Sequence, residues 1–173
     1  YNAAVIKLVF HTATRRSEAF GARWKNIDFR EKLWTIPTTK AGRKHVIPVS
    51  DAAIEILESM RPLSGHSPFV FVGLKGPLTT IQKPLGRIRK NSGVNFTLHD
   101  CRRTAATMLG NLDVRSEIIS LILNHIPQGP AATRIYERST KIPQMRIALE
   151  KLARHIERVV TDKPTAVIAF PGS

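Results

Sequence analysis

Cysteine is nearly absent from this 173-residue chain. Cys101 stands alone, which excludes an intrachain disulfide and a cysteine-rich zinc site and favours a reducing, intracellular setting. No apolar run approaches the roughly 18 residues of a membrane span, and no membrane partner is expected. Tyr1-Asn2-Ala3-Ala4-Val5 lacks the basic start of a signal peptide. There is no glycine-rich phosphate loop, which argues against an NTPase. The acids are scattered, with no Asp-x-Asp or His-Glu-x-x-His cluster, so metal-dependent nuclease chemistry has little support and no cofactor is expected. Acids are scarce altogether: 13 against 27 Lys and Arg, a net charge of +14. With 42% apolar residues the chain can bury a core, so it is not a disordered basic tail. A folded protein this basic suits a polyanionic partner, most simply nucleic acid, although charge alone also fits a generic basic protein.

The patterning predicts a mainly helical domain with one small antiparallel sheet. Residues 2–12 carry Val5, Leu8 and Val9 on one helical stripe, and a second short helix is expected over Ser17 to Arg23. Segments 24–28, 33–37 and 45–49 read as strands, with Ala41-Gly42 turning between the last two. Ser50 is a fitting N-cap for a helix over 51–61, with Ala53, Ile54, Leu57 and Met60 facing inward and Pro62 as its stop. Residues 69–72 read as a short strand or extended segment. A basic helix is expected over 78–91, closing near Gly93, followed by helices at 99–111, 114–124 and 131–138. The last long helix, 141–160, repeats Met145, Leu149, Leu152, Ile156 and Val159. Residues 162–173 lose this pattern and form a tail holding one apolar strip, Val167 to Phe170.

Phosphoryl transfer without a metal needs cations for the non-bridging oxygens, a side-chain nucleophile and a proton donor for the leaving oxygen. Four segments supply those types. Thr12 to Glu18 offers Arg15, able to clamp a phosphate, with Glu18 to hold it. Thr38 to Lys44 puts Lys40 on a hairpin tip. Leu98 to Thr104 puts His99 and Arg102 three residues apart, on one helical face. Leu121 to Tyr136 holds His125 and one of only two tyrosines. Each has an ordinary explanation when taken alone: a capping segment, a solvated lysine, a basic surface helix, a C-terminal cap histidine and a half-buried tyrosine.

Together and in this order, the segments resemble the boxes of the tyrosine recombinase (phage integrase) family. Thr12 to Glu18 resembles T-G-x-R-x-S-E, and Thr39-Lys40 the family's hairpin lysine. His99 to Thr104 resembles H-x-x-R-R-T, Leu123-Asn124-His125 resembles L-G-H, and Thr133 to Tyr136 resembles T-x-x-Y. Ala22 to Asp28 is similar to the family's L-R-W-x-D-I-D. The likeness spans residues 3 to about 138, and the helix over 141–160 is similar to that of prophage-type integrases. Two glycines of the family pattern are replaced here. Ala13 costs little where its φ is negative. Asn124 is the side chain best able to keep a left-handed turn.

The resemblance implies a catalytic domain over 1–161 with Tyr136 as nucleophile. Arg15 and Arg102 would hold the non-bridging oxygens, and Lys40 would act as general acid. His99 would assist proton transfer at the tyrosine, His125 would donate to the phosphate, and Glu18 would buttress Arg15. Around them, Arg16, Arg43, Lys44, Lys83, Arg87, Arg103 and Arg134 are the expected DNA-binding cations. The implied activity is site-specific recombination through a 3′-phosphotyrosyl link, needing neither ATP nor metal. The implied partners are double-stranded DNA, further copies of the chain in a tetramer, and accessory DNA-bending proteins, at a nucleoid location in the cytoplasm. Type IB topoisomerase-like relaxation and a non-catalytic DNA-binding module are the alternative readings. The start at Tyr1, inside a helical pattern, fits a chain whose N-terminal core-binding domain is absent. Residues 162–173 would dock on a neighbouring protomer, as such segments do in many members of the family, pack on their own chain or stay disordered.

Overall fold

The computed structural model describes residues 2–39, 42, 44–125 and 140–161. Helix α1 (Asn2–Thr12) lies at its centre, because Val5, Leu8 and Val9 have no exposed surface. It packs against α3 (Asp51–Glu58), α6 (Leu98–Asn111) and α8 (Ile142–Thr161), and α8 also covers α7 (Ser116–Ile122) and strand β3 (His45–Pro48). The fold is therefore mainly helical with a small antiparallel sheet, as the patterning predicts.

That sheet runs β1 (Ile27–Asp28), β2 (Leu33–Ile36), β3. Trp34 pairs with Ile47 and Ile36 with His45, and all four are buried. This is the period of two that makes one face of a strand the core face. Ser50 caps α3 by accepting from the Ala53 N–H at 3.4 Å. The start of α3 is also tied to α8, where Glu150 accepts from the Asp51 N–H at 3.1 Å. Arg146 of α8 donates to the Glu31 carbonyl at 2.8 Å, which fastens the β1–β2 turn.

Several boundaries differ from the sequence expectation, each for a local reason. The second helix, α2 (Arg16–Phe20), stops short of Arg23. Ala22 and Arg23 instead take up extended pairing, with the Val70 N–H on the Ala22 carbonyl and a bridge from Arg23 to Phe69. Residues Trp24–Asn26 form a single 3-10 turn and not a strand. The turn sets Trp24 and Phe29 around Arg61, whose guanidinium lies 4.4 Å and 4.8 Å from the two ring centroids. Pro62 does not end α3, which closes at Glu58. It sits in the first turn of α4 (Arg61–Ser64), where its missing N–H would have no helical partner anyway. The basic helix α5 (Gln82–Ser92) begins four residues later than expected, because the chain up to Leu78 is held in extended pairing, with the Leu78 N–H on the Phe71 carbonyl beside a second hairpin. That hairpin, β4 (Val72–Gly73) with β5 (Gly76–Pro77), was not foreseen. Gly93 closes α5 with φ 68°. The expected helix at 131–138 lies outside the described residues.

The stripe of α8 is inward only in part. Met145, Leu149 and Leu152 are buried, Ile156 is half-buried, and Val159 is 54% exposed because α8 runs past the body it covers. Leu149→Ala is expected to destabilise by about 2–5 kcal/mol, the cost of a core cavity, and Val159→Ala to stay within about 0.5 kcal/mol. Denaturant midpoints of the two variants check both values.

Candidate active site

Two helix ends build the site. Helix α1 closes through Ala13, whose N–H bonds the Val9 carbonyl at 2.8 Å. This is the single-bond left-handed cap, and Ala13 takes it with φ 50°. Ala13 therefore does not take the negative φ at which it would cost little: the chain reverses immediately after Thr12 through a left-handed residue. Helix α7 ends in a Schellman motif. The Asn124 N–H bonds Leu121 and the His125 N–H bonds Ser120, at 3.0 Å and 2.9 Å. Asn124 carries φ 51°, so asparagine does keep the left-handed turn. An L-residue with a Cβ pays roughly 1–2 kcal/mol for this conformation.

Arg102 joins the two turns. It projects from α6 and is 6% exposed. Its Nη1 donates to the Ala13 carbonyl and its Nη2 to the Leu123 carbonyl, both at 2.7 Å. Those carbonyls belong to the two left-handed closures, so one guanidinium sets the distance between the segments carrying Arg15 and His125. A guanidinium has more donors than these two bonds use. Burial, the Arg15 charge beside it and, in the opposite sense, Glu18 bring its pKa to about 10, so it is still charged at neutral pH.

Arg15 stands two residues beyond Ala13, at the N-cap of α2. Glu18, buried, accepts from the Arg15 N–H at 2.7 Å and from its Nη1 at 3.0 Å. One carboxylate thus closes half of a capping box and fixes the guanidinium. Thr12 and Thr14, both buried, are linked through their hydroxyls at 2.9 Å and stiffen the same loop. His125 follows the α7 turn. Its pKa is lowered by desolvation, then by Arg102 and by Arg15, so all three groups share one electrostatic field. A cluster of fixed cations beside a neutral imidazole is suited to an oxyanion, whose charge would relieve their mutual repulsion.

His99 is exposed in the first turn of α6, which Thr97 and Asp100 close as a reciprocal capping box. Arg102, three residues on, is buried, so the two are near in sequence but differ in environment. Of the expected DNA-binding cations, Arg16, Lys44, Lys83, Arg87 and Arg103 are exposed. Lys40, Arg43, Arg134 and Tyr136 lie outside the described residues. Among the described residues no group of three or more metal-ligating side chains occurs, and no helix is long and apolar enough to cross a membrane.

The profile of the phage integrase family matches residues 1–142. The chain belongs to that family. Prophage integrase IntA of Escherichia coli (strain K12) is 35% identical over 140 residues, covering 78% of this chain and 34% of that protein. Prophage integrase IntZ of the same organism is 33% identical over 162 residues, covering 90% and 39%. The chain therefore spans between a third and two-fifths of the length of these relatives. Among solved structures, the integrase from mycobacterium phage Brujita superposes with a TM-score of 0.67 at 22% identity, over 87% of this chain and 50% of that one. A lambda integrase tetramer bound to a Holliday junction superposes at 0.59 and 22%, over 72% and 40%. These likenesses establish a common fold.

The motifs mark the family's boxes but not the contacts between them. They mark Arg102 as a phosphate ligand, not as the bond between two turns. Nor do they signal the Asn124 amide donating to the Thr39 hydroxyl, which lies 85 positions away in sequence. No periodicity or spacing signals a contact of that range.

His11, in the last turn of α1, is 8% exposed, and its pKa is lowered by desolvation and by Lys7. His11 and His125 are therefore both depressed when folded. The unfolded chain takes up these protons first, so their contribution is present above about pH 6.5 and is lost as pH falls toward the folded values. A thermal midpoint that is level from pH 8 to 7 and falls below about pH 6.5 is expected. The fall should be shallower in His11→Gln, and an equal slope in both proteins would contradict it.

Proposed function

We propose that residues 1–161 are the catalytic domain of a tyrosine-type site-specific DNA recombinase and that double-stranded DNA is its substrate. What carries the reading is the convergence of Arg15, Arg102 and His125 at two joined helix ends, in a chain of the phage integrase family. Tyr136 Oη attacks the scissile phosphorus, and the bond to the 5′-oxygen breaks. Arg15 and Arg102 hold the non-bridging oxygens, while His125 donates a hydrogen bond to the same phosphate. Lys40 gives its proton to the departing 5′-oxygen, and His99 assists the proton leaving the tyrosine. The 3′-phosphotyrosyl link keeps the energy of the phosphodiester, so a 5′-hydroxyl from another strand reseals it without ATP. The exposed cations Arg16, Lys44, Lys83, Arg87 and Arg103, with Arg43 and Arg134, bind the DNA backbone. Exchange between two duplexes calls for four copies of the chain on DNA, helped by DNA-bending proteins at the nucleoid.

A nicked suicide substrate tests the chemistry. The chain is expected to form a denaturant-resistant adduct with DNA, and Tyr136→Phe none. Arg15→Ala should slow adduct formation by about 10²–10³-fold, the scale of one lost oxyanion donor. Adducts from Tyr136→Phe would refute the assignment, and DNA binding with no adduct from any variant would favour the non-catalytic module.

A further inference from the structure

Asn124 does more than tolerate its turn. Its Nδ2 donates to Thr39 Oγ1 at 3.2 Å, and both residues are buried, at 2% and 6% exposure. Thr39 directly precedes Lys40 in the chain, and Asn124 directly precedes His125. A second tie runs alongside. His45 Nε2, at the start of β3, lies 3.3 Å from the Ile122 carbonyl. The outgoing and returning arms of the β2–β3 hairpin are thus both fastened to the C-terminal end of α7. A glycine at 124, the residue of the family pattern, would make the same left-handed turn but would carry no amide to reach Thr39.

We propose that Asn124 is a positioning residue for leaving-group protonation: through Thr39 it sets where the chain enters the Lys40 hairpin relative to the Arg102–His125 turn. The amide is held by the α7 cap, which Arg102 in turn holds through Leu123. Its bond to Thr39 therefore references the hairpin to the same frame that carries the phosphate-binding groups. This inference rests on the reading of Lys40 as the general acid.

The test compares two DNA substrates in single-turnover cleavage. One has an ordinary phosphodiester. The other has sulfur in place of the bridging 5′-oxygen, so the P–S bond breaks to release a thiolate that needs no proton. Asn124→Gly keeps the turn and should retain the wild-type circular dichroism and DNA affinity. It should cleave the phosphodiester about 10- to 100-fold more slowly, the usual effect of an ångström-scale misplacement, and the sulfur substrate at close to the wild-type rate. Thr39→Val removes the acceptor and should behave alike, with the double variant no slower than either single one. It also decides the matter if Asn124→Gly fails to fold. Wild-type cleavage of the phosphodiester by both variants, or equal slowing on both substrates, would overturn the proposal. Lys40→Ala separates the two levels. If it is not rescued by sulfur, the general-acid reading falls and takes this one with it. If it is rescued while Asn124→Gly and Thr39→Val are not slowed, only the role of Asn124 falls.

Discussion

The site depends on one buried guanidinium. Arg102 reaches from α6 to two carbonyls, Ala13 and Leu123, that otherwise have no reason to be near each other. Each belongs to a helix end forced into a left-handed closure, so each end is locally unfavourable and gains from being held. Charge-assisted bonds to carbonyls are stronger than neutral ones, and here they fasten both turns. Arg15 and His125 lie just beyond these closures in the chain. Their placement is therefore a consequence of where Arg102 sits on α6, and α6 is fixed by its packing on α1 and α8.

This arrangement collects positive charge in advance. Arg102 is pushed down by burial and by Arg15, and His125 is pushed down by burial and by both arginines. Glu18 offsets part of that repulsion and also fixes Arg15. The folded protein thus carries an electrostatic cost that an anionic group in the site would remove. That is the pattern of a preorganised oxyanion site, in which donors are aimed before the charge arrives. The Asn124–Thr39 bond extends the same frame toward the hairpin.

Much of this was legible in the sequence, and the limits have physical causes. Helical stripes were readable where burial is continuous, as in Val5, Leu8 and Val9 or in Ala53, Ile54, Leu57 and Met60. The stripe of α8 read too long, because periodicity does not report where the covering body ends and Val159 passes beyond it. Residues 24–26 read as strand from composition, but Arg61, distant in sequence, recruits Trp24 and Phe29 into a turn. The boxes around Arg15, Arg102 and His125 were recognisable as motifs, and in the structure Glu18 forms an ion pair with Arg15. What the motifs did not convey was their mutual bonding. Nor could residue type reveal that Ala13 would accept a positive φ, since its turn is imposed by α1 ending where Arg102 can reach it.

Backbone hydrogen exchange in the absence of DNA tests most directly whether Arg102 holds both turns. In Arg102→Lys the charge persists, but one ammonium is a poor match for two carbonyls approached from a planar fork. The account predicts that the Ala13 and His125 amides, which close the α1 and α7 caps, lose protection together while the amides of α3 keep theirs. Loss at one cap alone, or unchanged protection at both, would contradict it.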